Sequence, residues 1–278
     1  MFKMMDRVGR RAALVMLMLM VLLASACGER RAEKLMRAGD IERAASIYER
    51  IQAAKPESEA ALYGLTFTAL LQGRAEDAAA WSDACLRAHP DSARCLRVTG
   101  MQRQQAGDIE GARQAYDKAV EKAPEDPDVL AAAASFASDR EDFARANELM
   151  GRVLQLSPEL GDFRFLSADL AMREGKPDQA LERLDRAMEL GFRERRLETN
   201  AWLVRGWAHL MLAEQAVGAE PLDISSAKAH LAAMEAALTR AESMALVFEE
   251  SITVQAANLR RRSGVLRAQV GARWEQTP

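Results

Sequence analysis

The sequence predicts an all-α solenoid of antiparallel helix pairs, and three observations carry that expectation. Pro56, Pro90, Pro124 and Pro158 recur every 34 residues. Gly39, Gly73, Gly107 and Gly175 keep the same period, with Glu141 in the missing slot, and Ala44, Ala78, Ala112, Ala146 and Ala180 keep it without a gap. A fixed period of this length is the mark of stacked helical units. The composition agrees: 49% hydrophobic but only 5% aromatic, which favours helices packed through small side chains over a β-rich core.

Residues 1–26 read as an export signal. Lys3, Arg7, Arg10 and Arg11 precede an apolar run over 12–23. Twelve residues make a helix of about 18 Å, too short for a ~30 Å hydrocarbon core. Small residues follow, as a secretory signal requires. Leu23-Ala24-Ser25-Ala26-Cys27 resembles the lipobox of bacterial lipoproteins, which implies a diacylglyceryl group on Cys27 and cleavage before it. Two alternatives remain open at this point: ordinary cleavage after Ala26 with release, and an uncleaved anchor. Gly28 after the Cys implies, by the sorting rule of that family, the outer membrane and its periplasmic face, or the outer leaflet where there is a single membrane. Removing residues 1–27 moves the formal charge from −3 to −6. A mildly acidic body gives no reason to expect nucleic acid, and it confines membrane attachment to the lipid.

Each periodic column has a mechanical meaning. The Gly lies between two apolar-periodic stretches, where the chain reverses and a positive φ is needed. Asp40, Asp108 and Asp142 follow directly and suit the N-cap of the second helix. Pro177 suits the first turn of its helix, where a missing N–H costs little. The Ala column lets two helices approach closely, and Tyr48, Tyr116, Met150 and Leu184 lie four residues further on the same face. The Pro column ends the second helix.

This pattern resembles the tetratricopeptide repeat family. The best unit is 93–126, with Leu96, Gly100, Gly107, Ala112, Tyr116, Ala119 and Pro124 at signature positions. Unit 59–92 keeps Leu62, Gly73, Ala78 and Pro90, but has Thr66 and Ser82 at two of them. Unit 127–160 keeps Ala134, Ala146 and Pro158, and unit 161–194 keeps Ala168, Gly175, Ala180 and Ala187 without a closing Pro. The first unit, 28–58, is cut short by the signal, so five units span 27–194.

Beyond 194 the period fails. Residues 195–245 read as a degenerate sixth pair: a helix over 200–214 with Gly206 at the close crossing, a loop through Gly218 and Pro221, and a helix over 225–244. Residues 246–278 read as a closing helix and tail. Its stripe of Phe248, Ile252, Ala256, Leu259, Leu266 and Val270 is expected to cover the open end of the stack, with Arg260, Arg261 and Arg262 largely facing water.

Chemistry-bearing motifs are sparse. His89, His209 and His230 stand far apart in the sequence, with no ligand partner at metal spacing, and no HExxH, CxxC, phosphate loop or nucleophile elbow occurs. No catalytic residue, metal, cofactor or small-molecule substrate is expected. Cys85 falls late in one repeat and Cys95 early in the next, on helices that pack side by side in the family the chain resembles. A disulfide suits an exported protein; two small buried thiols are the other reading.

The first helix of each pair is expected to line a concave side. From the phase, that side presents Tyr63, Phe67, Leu70, Arg94, Arg97, Met101, Gln104, Asp128, Ser135, Phe165 and Met172, then Leu203 and Trp207. Aromatics with Arg suit an extended peptide or a partner helix, although Tyr63, Phe67 and Trp207 also read as packing residues. The expected function is a membrane-anchored periplasmic scaffold that assists assembly of an envelope complex. Its architecture is similar to that of the pilotins of type IV and Tad pili. An adaptor for polysaccharide export or cell-wall enzymes is the alternative.

Overall fold

A computed structural model describes residues 28–245, 250–271 and 274–275. Every regular element among them is a helix. The signal segment and Cys27 lie outside the described residues, as do residues 246–249 and with them Phe248. No helix among the described residues is long and apolar enough to cross a membrane.

The chain divides into two compact units at Ala123/Pro124. The first contains α1 (28–37), α2 (Ile41–Ala54), α3 (Glu59–Leu71), α4 (Ala75–Ala88), α5 (Ala93–Gln105) and α6 (Ile109–Lys122). The second contains α7 (Pro127–Asp139), α8 (Phe143–Leu156), α9 (Gly161–Arg173), α10 (Pro177–Leu190), α11 (Arg195–Gly218), α12 (Ile224–Met244) and α13 (Glu250–Val270). From α2 to α10 the regularity is strict: first helices α3, α5, α7 and α9 have 13 residues, and second helices have 14.

The periodic columns set these lengths. The Gly column has φ of +70° to +81°, and Glu141 takes φ +60° in its place. Asp40, Asp108 and Asp142 cap α2, α6 and α8 by accepting from the N–H three residues on. Pro177 occupies the first turn of α10. At the other end, Lys55, His89, Ala123 and Ser157, each just before its Pro, have φ near −140° and ψ of 64° to 87°. Proline disfavours the helical conformation for its predecessor, so each second helix stops at a fixed point.

Packing follows from the Ala column, which is fully buried at all five positions. Tyr48, Tyr116, Met150 and Leu184 are buried beside it. Tyr116 lies over Gly100, where a Cβ would sit 2.9 Å from its ring, and Tyr48 lies over Gly64, where a Cβ would sit 2.5 Å away. Gly64 carries no signature position, and its close approach was not legible in the period. Thr66, at the small-residue position, is fully buried and donates its hydroxyl to the Leu62 carbonyl at 2.8 Å. That bond removes the cost of burying the hydroxyl.

In the second unit, α10 ends at Gly191 (φ +75°) in place of a proline. The loop beyond it is pinned by Asp162, whose buried carboxylate accepts from Arg193 N at 2.9 Å and Arg193 Nε at 2.6 Å. The sixth pair is longer than expected: α11 starts five residues before Asn200 and runs through Gly218, leaving a loop of 219–223. Its core joins Leu203, Leu210, Ala213, Ala227, Leu231, Met234 and Leu238 to Ile252, Ala256 and Leu266 of α13. Gly206 makes the close crossing, with Leu238 2.7 Å from where a Cβ would be. Arg261 and Arg262 of α13 are exposed, as expected, and Arg260 is half-buried. Arg260 clasps Glu235 and Glu242 of α12, and Arg262 reaches Glu214 of α11 at 2.7 Å. These two arginines also tie the helix down.

Candidate interaction face

In the first unit, α3 and α5 pack against each other as consecutive first helices. Residues four apart on one helix share a face, so Tyr63 and Phe67 point the same way. Their rings stack with centroids 6.1 Å apart and planes within 8°. From α5, the Arg94 and Arg97 guanidiniums lie 4.7 Å and 5.2 Å from the Tyr63 centroid. Arg97 also donates to the Tyr63 hydroxyl at 2.5 Å, and Glu33 of α1 reaches Arg94 at 3.8 Å. All four side chains, with Leu70 and Met101, are partly exposed. Gln104 is held by the Tyr116 hydroxyl, which donates to its Oε1 at 3.1 Å.

The result is a rigid aromatic–cationic surface. Both guanidiniums rest against the Tyr63 ring and Arg97 is also hydrogen-bonded to its hydroxyl, so less entropy remains to be lost when a partner docks. Such a surface can cover apolar or aromatic side chains and accept carboxylates through the planar guanidinium edges.

In the second unit the expected residues divide. Asp128, on α7, is exposed and lies 3.7 Å from Arg193, and Ser135 is exposed too. Phe165 is buried at 6% exposure among Ala168, Leu184, Ala187 and Ala201, with the Phe192 ring edge-on at 6.5 Å. Its assignment to a partner-binding face is therefore corrected: α9 is covered there by α10 and α11, and Phe165 fills the gap. Met172 is buried for the same reason, and Leu203 of α11 is buried in the core shared with α12 and α13. Trp207 is partly buried against Ala171, Met172, Ala180 and Ala208.

Two cysteines and two histidines complete the candidate groups. Cys85 on α4 and Cys95 on α5 are bonded in the structure, with Cα atoms 5.5 Å apart and both residues fully buried. Although 21 residues apart in sequence, His209 and His230 meet in space with Nδ1 atoms 3.2 Å apart. The antiparallel α11–α12 hairpin brings them together, and neither the helical period nor a motif marks the pairing. No group of three or more His, Cys, Asp or Glu suited to a metal occurs among the described residues.

A tetratricopeptide-repeat family model matches residues 35–100 and 137–197. No curated protein sequence matches the chain. Among solved structures, a tetratricopeptide repeat protein from Parabacteroides merdae is 17% identical with a TM-score of 0.62, over 86% of this chain and 85% of that one. PilW, described as a widely conserved type IV pilus biogenesis factor, is 16% identical with a TM-score of 0.57, over 77% of this chain and 93% of its own. Pseudomonas aeruginosa pilF is 18% identical with a TM-score of 0.54, over 83% of this chain and 97% of its own. At these identities the likeness is one of fold.

Proposed function

Because this chain is built of tetratricopeptide repeats, we propose that it is a non-catalytic scaffold, tethered to the bacterial outer membrane through a lipid on Cys27, that binds protein partners during assembly of an envelope complex. The observation that carries the reading is the fixed Tyr63–Phe67 stack flanked by Arg94 and Arg97, partly exposed on the first-helix face. Aromatic and Arg side chains dominate the energetics of protein interfaces. The export signature supports placement in the periplasm, and the fold shared with PilW and pilF supports a pilus or secretion apparatus as the complex served. An extended peptide or a helix lying along the face is the expected form of the partner.

Phe67→Ala combined with Arg97→Ala tests the reading. Recovery of partners crosslinked in the native envelope is expected to fall by about tenfold or more, with the helical circular dichroism unchanged. Equal recovery, or loss of helix, would return both residues to a structural role. Mass spectrometry of the mature N-terminus tests the anchor separately: a diacylglyceryl-modified Cys27 is expected, and an unmodified residue would refute tethering.

A further inference from the structure

His209 projects from α11 and His230 from α12, with Nδ1 atoms 3.2 Å apart. The ring centroids are 5.4 Å apart and the planes tilt by 31°, so the two nitrogens sit head to head on the line between the rings. Two lone pairs repel there, and so do two N–H groups; one N–H facing one lone pair does not. The pair therefore shares a proton. A metal ion would need both lone pairs to converge on a point beside that line, which this alignment does not offer.

The surroundings hold the rings in place and set their charge preference. Leu210 and Leu231, adjacent to the two histidines, are buried in the α11–α12 core. Asp185 from α10 and Arg205 from α11 are the charged groups acting on His209, and they bond each other at 2.5 Å. From α13, Arg262 and Arg260 are paired with Glu214 of α11 and with Glu235 and Glu242 of α12.

We propose that His209 and His230 form an acid-release lock on the α11–α12 hairpin, closed while the pair carries no or one added proton and opened by a second. In the neutral pair one Nδ1–H donates to the other Nδ1. After one added proton, the charged ring still donates from Nδ1 to the lone pair of the neutral ring, and the bond is charge-assisted. A second proton, taken from solvent, puts N–H on both facing nitrogens. The acceptor is gone, two like charges stand face to face, and the helices part. Burial first, then His230 and Arg205, push His209 down to about 4, while Asp185 opposes them. The lock thus survives mild acid and releases late.

Histidine-ring magnetic resonance of the full chain tests this directly, because only three histidines are present. His209 and His230 are expected to titrate as a coupled pair. The lower midpoint should rise by about one pH unit in His230→Gln. Amide exchange in α11 and α12 should show an acid step at the lower midpoint in the wild type. That step should be missing from the His209→Gln, His230→Gln double variant, in which carboxylates still titrate. Independent midpoints, or an identical acid step in the double variant, would overturn the proposal.

Discussion

Gly64→Ala is expected to destabilise the protein, although Gly→Ala inside a helix ordinarily stabilises by about 1 kcal/mol. Gly64 lies within α3, and a Cβ there would stand 2.5 Å from the Cε2 and Cζ atoms of Tyr48 and 2.6 Å from Cδ2. Comfortable carbon contacts lie at about 3.5–4.0 Å, so the ring must retreat by about 1 Å. Tyr48 is only 4% exposed, and an aromatic ring has no flexible end to swing aside. Overpacking of this kind costs about 1–3 kcal/mol, and its upper half applies. After the helix gain is subtracted, the net loss is about 1–2 kcal/mol. Gly151 provides the control: it lies within α8, is exposed, and a Cβ there meets nothing within 4 Å. Gly151→Ala should stabilise by about 0.5–1 kcal/mol. Urea denaturation of the two variants should therefore shift midpoints in opposite directions. If both variants stabilise, the close approach of Tyr48 to α3 is wrong.

Further expectations address other features. Reduction of the Cys85–Cys95 bond, or Cys85→Ala with Cys95→Ala, should lower unfolding stability by about 2–3 kcal/mol for a ten-residue closed loop. Thiol labelling of the denatured, unreduced chain should find neither sulfur free. His209 has a folded-state pKa of about 4 against a reference of 6.5, so the unfolded chain takes its proton first. Stability should therefore fall as pH drops from about 6.5 towards 4, by about 1 kcal/mol after allowance for solvent exposure. His209→Gln should flatten that part of the curve. Arg260 holds the Glu242 carboxyl below the usual range through a direct hydrogen bond. Arg260→Ala should cost about 0.5–1 kcal/mol and speed amide exchange in α13 before any other helix of its unit.

The repeating part of the fold was legible because its signals are local. A proline acts on the residue before it, a capping Asp on the N–H three residues later, and a glycine on its own φ. Helix limits for α2 to α10 follow from such rules. Beyond 194 no column repeats, and the extent of α11 rests on tertiary packing against α12 and α13, which sequence spacing does not encode. The face was legible in part for the same reason. Helical phase correctly grouped Tyr63 with Phe67 and Arg94 with Arg97, but it states only direction, not what a neighbouring helix covers. Phe165 has the right phase and is nevertheless buried by α10 and α11. The His209–His230 contact depends on the register of two long helices joined by a loop of 219–223, and a one-turn change in that register would separate them.

Site-specific photocrosslinking in the native envelope tests the central claim most directly. A photoreactive residue at 67 or 101, on the first-helix face, should capture a partner protein. The same residue at 113, on exposed α6, should capture none. Capture at 113 with silence at 67 and 101 would contradict a scaffold that binds through its first helices.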